Sequence, residues 1–326
     1  MIQGPIVYHS EVIPNLRKEE NRHLQYENMS KGIYAFSLGM AKKVLIADTL
    51  AKIVNAGYET VWELNLVSTI LVMLSYSLQI YFDFSGYTDM AYGIGCMFNV
   101  ELPLNFHSPY KAASISEFWD RWHMTLTRFF TKYVYIPLGG SRRGKIRTYI
   151  NIMIVFLVSG LWHGANWTFI LWGAMHGIAK VLDRLFHNII QKIPKCIRTV
   201  VTFVFVTFAW SLFRADSVEQ AQKLWRNLRM DKLGSVYTPL CEVFNDMIEI
   251  KVLYRMGFGG LLEHYPWSMM VVFLMVLVVV CVAMRNTQEK VKTMKFTNGK
   301  LWSTVILLIW SIVSLTEVSA FLYANF

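Results

Sequence analysis

The chain has 326 residues, of which 54% are hydrophobic and only 17% are charged, and its mean hydropathy is +0.35. Soluble domains carry about a quarter charged residues, so this composition excludes an ordinary soluble protein and indicates a polytopic membrane protein. The net charge of +10 would suggest a nucleic-acid partner in a soluble chain. Here the basic residues lie mostly in short loops between apolar runs, so membrane topology explains them better and we expect no nucleic-acid partner.

Metal and cofactor motifs are absent from the sequence. The four cysteines are widely spaced and show neither metal nor redox spacing. No GxSxG, P-loop, dinucleotide-binding glycine pattern or HExxH occurs. We therefore expect no metal site, no bound cofactor and no serine nucleophile.

The first part of the chain is mixed in character. Residues 1–30 are polar and predict a loop or surface segment. Residues 31–56 are apolar but interrupted by Lys42, Lys43 and Asp48. That pattern predicts an amphipathic helix, or a membrane span that neighbouring helices shield from lipid.

The next segment predicts a membrane span that carries two carboxylates. The span is Val61–Tyr81, and it continues into Tyr81–Phe98, which contains Asp83 and Asp89. A carboxylate at membrane depth costs roughly 3 kcal/mol, so each should face a cavity or a partner. A substrate-binding role and a structural role both remain open for the two aspartates.

A polar and aromatic segment precedes the later spans. The segment Ser116–Tyr135 predicts one helix, and Ser114 or Ser116 can cap its N-terminus. The negative charge of Glu117 near this end interacts favourably with the helix dipole. Its mixture of aromatic and charged residues predicts that this helix lies at the membrane–water interface, or that it re-enters the membrane and packs there against other parts of the protein. The basic turn Pro137–Lys145 follows it.

Five more spans follow, at about Thr148–Trp162, Trp167–Leu185, Val200–Phe213, Trp267–Ala283 and Trp302–Leu322. Three basic loops then fall on one side of the membrane, which the positive-inside rule assigns to the cytoplasm. Residues 214–266 carry mixed charges and predict an extramembrane excursion on the opposite side. The sequence thus predicts an all-α transmembrane domain over residues 1–326.

His163 is the first candidate for chemistry. It lies in SGLWHGANW, where Gly160 and Gly164 allow another backbone or a substrate to approach the imidazole. A neutral histidine can take a proton from a hydroxyl near neutral pH. A packing role is the alternative, although ionisable groups within membranes tend to be functional.

Two further histidines lie near His163 in the sequence. His123, in DRWHMTLTR, is by itself explained by an aromatic belt at the interface. His176 follows His163 by thirteen residues. If the chain turns near Asn166, His176 either faces the same cavity or packs beside Gly177. Such a set of residues suits acyl transfer from a thioester to a hydroxyl, but it equally suits a transport pathway.

Three long segments are specific enough to indicate a family. YFDFSGYTDMAYGIG, FWDRWHMTLTRFFTKYVYIPLGGSRRG and GLWHGANWTFILWGAMHG strongly resemble the membrane-bound O-acyltransferase (MBOAT) family, and within it the branch of bacterial alginate O-acetylation membrane proteins. IQGPIVYHSEVIPNL, FAWSLFRADSVEQA and SAFLYANF resemble further family segments. The resemblance covers nearly the whole chain. Family members usually carry several more spans before the segment that IQGPIVYHSEVIPNL resembles, and here the chain starts at that segment, so it looks N-terminally truncated.

The resemblance implies an MBOAT-like helical bundle around a central funnel or tunnel in the bacterial inner membrane. It implies transfer of an acetyl group from a cytoplasmic acyl thioester, such as acetyl-CoA, toward a polysaccharide hydroxyl or a periplasmic or extracellular acetyltransferase partner. The invariant histidine of the family falls on His163, and the second histidine of this branch falls on His123. We therefore predict these two as catalytic. The predicted substrate-binding residues are Asp83, Asp89, Trp122, Trp162, Asn166 and His176.

Other functions remain open at this point. The same chemistry would serve D-alanyl transfer to teichoic acid from a carrier-protein thioester. A non-catalytic transporter or scaffold could pass acyl groups to a separate enzyme. Acylation of a membrane lipid is a further alternative.

Overall fold

The computed structural model describes residues 5–245 and 247–315, and within these ranges the chain forms helices and loops without any strand. The predicted all-α class is therefore confirmed. The first α-helices are α1 (His9–Arg17), α2 (Tyr26–Ala41), α3 (Asp48–Glu59), α4 (Leu66–Met97), α5 (Ile115–Arg121), α6 (Met124–Phe130), α7 (Lys145–His163) and α8 (Trp167–Leu185). The later ones are α9 (His187–Ile190), α10 (Lys195–Arg214), α11 (Val218–Arg226), α12 (Thr238–Glu242), α13 (Ile248–Leu253), α14 (Gly259–His264), α15 (Ser268–Ala283), α16 (Thr287–Lys292) and α17 (Asn298–Val313).

Residues 1–30 are predicted to form a loop or surface segment, and their described part contains α1 and the start of α2. None of the residues of α1 is buried, so it is a helix at the surface and not a loop. The first turn of α1 is stabilised by the Glu11 carboxylate, which accepts a hydrogen bond from the Tyr8 backbone N–H at 2.9 Å. Arg128 of α6 also pairs with Glu11. This contact between residues 117 positions apart also stabilises α1, and the local sequence pattern does not reveal it.

The second segment is helical throughout, because a π-helix over Lys42–Ala47 joins α2 to α3. This π-helix carries the two lysines that interrupt the apolar pattern. Lys42 pairs with Asp89 at 2.6 Å, and Lys43 pairs with Asp83 at 2.6 Å and with Asp48 at 2.9 Å. The lysines therefore face α4, and each aspartate of α4 has a cation beside it.

Helix α4 is longer than the predicted span and begins later. It has 32 residues and starts at Leu66, because the Asn65 side chain accepts a hydrogen bond from Ser68 N at 2.9 Å and caps the helix. At 1.5 Å per residue it is about 48 Å long, which exceeds the roughly 30 Å of bilayer hydrocarbon. Both aspartates consequently lie on the same continuous helix as the predicted span.

Three of the six predicted spans coincide with helices in the described part of the chain that have the length and hydropathy of a membrane span. Among the described residues, α4, α7 and α10 are long and apolar enough to cross a bilayer, and α15 and α17 are shorter apolar helices. Helix α8 has the predicted bounds but carries Lys180, Asp183 and Arg184 near its C-terminal end. Of the last predicted span, the part beyond residue 315 lies outside the described residues, as does the SAFLYANF segment.

The predicted single helix over Ser116–Tyr135 is wrong. The chain breaks at His123, whose backbone is left-handed with φ 44° and ψ 52°, so α5 and α6 are separate. A π-helix over Thr131–Tyr135 continues α6. The predicted cap is confirmed at Ser114, whose hydroxyl accepts a hydrogen bond from Glu117 N at 3.1 Å.

The described residues between α10 and Pro266 contain the short helices α11 to α14, and their location outside the membrane stays a prediction. The main core of the protein lies between the long helices and also includes side chains of this segment, such as Leu224 and Leu240. It is rich in aromatic side chains, among which Trp122, Trp172 and Trp210 are fully buried. Large apolar side chains on α7, α10, α15 and α17 are exposed, as expected of helices that face lipid.

Removal of the cation between two carboxylates should destabilise this bundle. Lys43→Met leaves Asp48 and Asp83 close together without their shared partner, and Asp83 is only 1% exposed. We expect a loss of about 3–5 kcal/mol in unfolding free energy, seen as a lower melting temperature in detergent. Adding Asp83→Asn to this variant should restore part of the loss.

The matched control is Lys18→Met, which removes an exposed ion pair with Glu20 at 3.7 Å. Exposed pairs contribute about 0–1 kcal/mol. If Lys43→Met melts at the same temperature as Lys18→Met, the ion pair does not support the bundle.

Candidate active site

His163 is the last residue of α7, where two antiparallel helices meet at a tight turn. The Asn166 side chain caps α8 by accepting a hydrogen bond from Thr168 N at 3.1 Å, so the predicted turn near Asn166 is confirmed. The helices approach closely because Gly160 and Gly173 have no side chains. A Cβ atom on Gly160 would lie 2.4 Å from the Phe169 carbonyl oxygen.

The His163 ring is enclosed by aromatic side chains. It is 3% exposed and has edge-on contacts with Trp162 at 4.9 Å, Trp172 at 5.3 Å and Phe213 at 5.0 Å between ring centroids. Such an apolar surrounding disfavours a charged imidazole. Rings from three helices therefore shield the His163 side chain from solvent.

His123 lies at the left-handed break between α5 and α6 and is 4% exposed. Its Nδ1 is 3.0 Å from the Oδ1 atom of Asn105, and its ring contacts the Phe84 ring at 4.6 Å. Ring contacts lead from Trp122, the residue before His123, through Trp210 and Trp172 to His163. Aromatic packing thus links the two segments that carry these histidines, which are 40 residues apart in the sequence.

His176 occupies a different surrounding. It is fully buried on α8, and its Nδ1 accepts a hydrogen bond from Trp119 Nε1 at 3.2 Å. Trp172 contacts both His176, at 5.0 Å, and His163, at 5.3 Å. Within the described residues the Nε2 atom of His176 has no hydrogen-bond partner.

A cavity of about 220 Å³ lies between α5, α6, α7 and α8. Aromatic and aliphatic side chains form most of its walls, and Lys180 and Arg184 are at the end nearest the C-terminus of α8. At the other end it reaches Ser159, one helical turn before His163. His163 is not among the lining residues. Trp162 contacts both His163 and the cavity residue Phe130.

The cavity is separated from His176 by the two aromatic side chains Trp119 and Phe156. Both line the cavity, and both contact the His176 ring, at 5.2 and 6.3 Å between centroids. His176 therefore supports the cavity wall from behind. Whether it binds substrate stays a prediction.

The predicted aspartates lie in ion pairs instead of this cavity. Asp83 contacts Lys43, and Asp89 contacts Lys42 and accepts a hydrogen bond from the Thr287 hydroxyl at 2.5 Å. Asp89 also lines a second cavity of about 10 Å³, which has room for about one water molecule. This geometry favours the structural reading of both carboxylates.

The remaining predicted residues divide into buried and exposed positions. Trp122 is fully buried and stacks on Phe118 at 5.5 Å, whereas Trp162 is 53% exposed. The Asn166 amide donates to the Asp216 carbonyl at 2.9 Å in addition to capping α8. Trp162 has ring contacts with both His163 and the cavity residue Phe130.

Residues 6–11, which include the start of α1, contact α6 and the π-helix that continues it. The Arg128 guanidinium pairs with Glu11 and donates a hydrogen bond to the Ile6 carbonyl at 3.1 Å, and Lys132 lies 4.2 Å from the centre of the Tyr8 ring. The hydrogen bond from Arg128 lowers the pKa of the Glu11 carboxyl. Helix α6, which forms one wall of the cavity, is thereby held from outside the bundle.

The sequence did not reveal three residues at this site. Asn105 lies in the loop between α4 and α5, and Lys180 and Arg184 lie near the end of α8. An amide between the apolar residues Leu104 and Phe106 is a weak signal of a buried hydrogen bond. Two cations four residues apart on an apolar helix indicate a charged face on that helix, which could have pointed to a cavity.

Comparisons with known proteins agree with these features. Residues 1–218 match the model of the membrane-bound O-acyltransferase family, MBOAT. The chain is 39% identical over 334 residues to the peptidoglycan O-acetyltransferase of Helicobacter pylori, covering 100% of this chain and 62% of that protein. It is 38% identical over 228 residues to the probable alginate O-acetylase AlgI of Azotobacter vinelandii, covering 69% and 44%.

A more distant relative is the teichoic acid D-alanyltransferase of Bacillus subtilis, with 25% identity over 225 residues, covering 64% of this chain and 57% of that protein. The chain thus spans less than two thirds of the length of each of these three relatives.

The close approach of α7 and α8 can be tested with a single methyl group. Gly160→Ala places a Cβ 2.4 Å from the Phe169 backbone oxygen, so the two helices must separate. Overpacking of this kind costs about 1–3 kcal/mol, and we expect a lower melting temperature in detergent. Gly260→Ala is the control, because no atom lies within 4 Å of its added Cβ. Equal melting temperatures for the two variants would contradict the packing argument.

Proposed function

Because the chain belongs to the membrane-bound O-acyltransferase family, we propose that it transfers an acetyl group from a cytoplasmic acyl thioester toward a cell-surface polysaccharide hydroxyl. The observation that carries the proposal is that His163 is a buried imidazole one helical turn beyond the end of a cavity, with aromatic contacts that connect it to the segment of the buried His123. We place the protein in the bacterial inner membrane. Transfer either reaches the polymer directly or passes through a periplasmic or extracellular acetyltransferase partner.

The proposed reaction is acyl transfer assisted by a histidine base. A neutral imidazole of His163 takes the proton of the accepting hydroxyl while the oxygen attacks the thioester carbonyl. A C–O bond forms, the C–S bond breaks, and the proton moves from the imidazolium to the departing thiolate. His123 assists by binding or by proton relay. The apolar walls exclude water, which would otherwise hydrolyse the thioester.

The donor is proposed to enter through the cavity between α5, α6, α7 and α8. The end of the cavity that is lined by Lys180 and Arg184 lies on the side of the basic loops. The predicted topology assigns that side to the cytoplasm. Two cations suit the phosphate groups of a coenzyme A thioester, and the apolar walls suit its narrower thioester arm. The reacting carbonyl would then approach His163 from Ser159.

Trp162 is the proposed barrier between donor and base. It touches the cavity residue Phe130 at 6.3 Å and His163 at 4.9 Å between ring centroids. Because Trp162 is 53% exposed, it has room to rotate toward lipid. Such a rotation would connect the cavity with the His163 ring.

Peptidoglycan is the acceptor we favour. Similarity to the peptidoglycan O-acetyltransferase extends over the whole chain, whereas similarity to the probable alginate O-acetylase covers 69% of it. Residues 219–326 lie beyond the part matched by the family model. A match that includes them supports a shared acceptor or partner more strongly than a match to the family region alone.

Loss of either histidine should abolish transfer. We expect His163→Ala and His123→Gln to lower acetyl transfer by about 10²–10⁴-fold, the usual contribution of a positioned acid or base. Membranes are supplied with labelled acetyl-CoA, the polysaccharide fraction is counted, and protein levels are matched by immunoblot. His187→Gln, an exposed histidine on α9, should retain full activity. Normal acetylation in His163→Ala membranes would remove the assignment.

The same membranes distinguish the alternative functions. Labelled D-alanyl carrier protein as the effective donor would favour teichoic acid modification, for which the Bacillus subtilis relative gives a specific reason. Label in the lipid fraction would favour lipid acylation. Purified protein that turns over no donor thioester by itself would favour a transporter or scaffold.

The cationic end of the cavity yields a separate prediction. Lys180→Gln and Arg184→Gln each remove a charged hydrogen-bond donor from the donor phosphates, so KM for acetyl-CoA should rise about tenfold with kcat little changed. Acetyl-pantetheine lacks phosphate and should show the same KM with wild type and both variants.

Arg142→Gln is the matched control, because Arg142 is an exposed cation on the same predicted side of the membrane and does not line the cavity. Its KM for acetyl-CoA should remain that of wild type. An unchanged KM in Lys180→Gln and Arg184→Gln as well would exclude this end of the cavity as the phosphate site.

A further inference from the structure

One oxygen atom of Asn105 accepts three hydrogen bonds. Its Oδ1 lies 3.2 Å from Thr125 N, 2.8 Å from Thr125 Oγ1 and 3.0 Å from His123 Nδ1. Asn105 is buried, and it lies in the loop between α4 and α5, 18 residues before His123. The loop therefore reaches across to the break between α5 and α6 and contacts the ring of one proposed catalytic residue.

The partners of this oxygen determine where the proton of the neutral His123 ring lies. A backbone N–H can only donate, so the atom facing Thr125 N must be the amide oxygen and not the amide nitrogen. A carbonyl oxygen can only accept, so the Nδ1 atom of His123 must carry a hydrogen. In a neutral imidazole the other nitrogen, Nε2, then holds the lone pair.

We propose that Asn105 is a positioning residue that fixes neutral His123 as the Nδ1–H tautomer and so reserves Nε2 for proton exchange. This inference rests on the proposed function for its catalytic meaning, although the tautomer itself is a property of the resting protein. Asn105 acts through His123 and need not touch either substrate. Because the amide is uncharged, it orients the ring without adding a counter-ion to it.

The same loop also holds the unusual backbone of His123. The Asn105 carbonyl accepts a hydrogen bond from Met124 N at 3.0 Å. Two residues further on, His107 N donates to the Arg121 carbonyl at 2.9 Å, and the Arg121 side chain donates back to the His107 carbonyl at 3.0 Å. A left-handed conformation is unfavourable for a non-glycine residue, so these hydrogen bonds on both sides of His123 explain why it persists.

Aromatic side chains restrict the remaining freedom of the ring. Phe84 of α4 meets His123 edge-on at 4.6 Å, and Phe106 lies nearly parallel to it at 6.5 Å between centroids. A flip of the imidazole would exchange Nδ1 with a carbon and lose the hydrogen bond to Asn105. Packing and hydrogen bonding therefore select the same ring orientation.

The tautomer can be observed directly by solid-state NMR of protein labelled with [15N]histidine in lipid bilayers. A difference spectrum against His123→Gln identifies the His123 signals. We expect a protonated Nδ1 and an unprotonated Nε2 in the wild type. Asn105→Ala should lose this preference and populate the Nε2–H tautomer. Asn105→Asp keeps an acceptor oxygen in the same place and should retain the Nδ1–H signature.

Thr125→Val is the matched control. It removes one hydrogen bond from the same Asn105 oxygen but leaves the His123 contact, so the His123 spectrum should remain that of wild type. An Nε2–H tautomer in the wild type would overturn the proposal, even if Asn105→Ala fails to fold. So would an unchanged His123 spectrum in folded Asn105→Ala.

Activity then separates this inference from the proposed function. A base held in the wrong tautomer loses up to about 10⁴-fold in kcat in other enzymes. We expect Asn105→Ala to lower kcat for acetyl transfer at least about tenfold, with partial recovery in Asn105→Asp. If the tautomer changes as expected but the wild type transfers no acetyl group, the proposed function fails and the role of Asn105 in orienting the ring stands.

Discussion

Ion pairs between α4 and the π-helical segment organise this bundle. Asp83 and Asp89 lie on the longest helix, where unpaired carboxylates would be costly at membrane depth, and Lys43 and Lys42 neutralise them. The π-helix matters because its extra residue per turn shifts which side chains face α4. With α4 fixed, its Phe84 forms one wall around the ring of His123.

The second organising feature is the close packing of α7 against α8. Glycines allow the two backbones to approach, and the turn between them ends α7 at His163. The aromatic side chains that surround this histidine belong to α7, α8 and α10. A base assembled from several helices in this way depends on the whole bundle, so distant packing changes should affect the site.

The two proposals describe different parts of one reaction path. Lys180 and Arg184 would hold the charged portion of the donor, and Trp162 would control access from the cavity to His163. Asn105 would keep His123 in the protonation pattern that leaves Nε2 available. Each step uses a different part of the fold, and for this reason each can be altered separately by substitution.

Local sequence patterns determined much of this protein. Apolar runs of membrane-spanning length predicted the all-α class and the helices α4, α7 and α10. Ser114 marked a helix start by its capping chemistry, and a turn was expected near Asn166. These signals are readable because hydropathy, period and caps depend on residues a few positions apart. The long motifs around His123 and His163 indicated the family in the same way.

The tertiary structure alone decided the break at His123, the partners of the aspartates and the place of the cavity. A helix was expected through residue 123, and the local residues favour one. Hydrogen bonds from a loop 18 residues earlier instead stabilise a left-handed turn there. Lys42 and Asp89 are 47 residues apart, and Trp119 and His176 are 57 apart. Contacts at such separations depend on how the helices pack, and a single sequence carries no local signal of that packing.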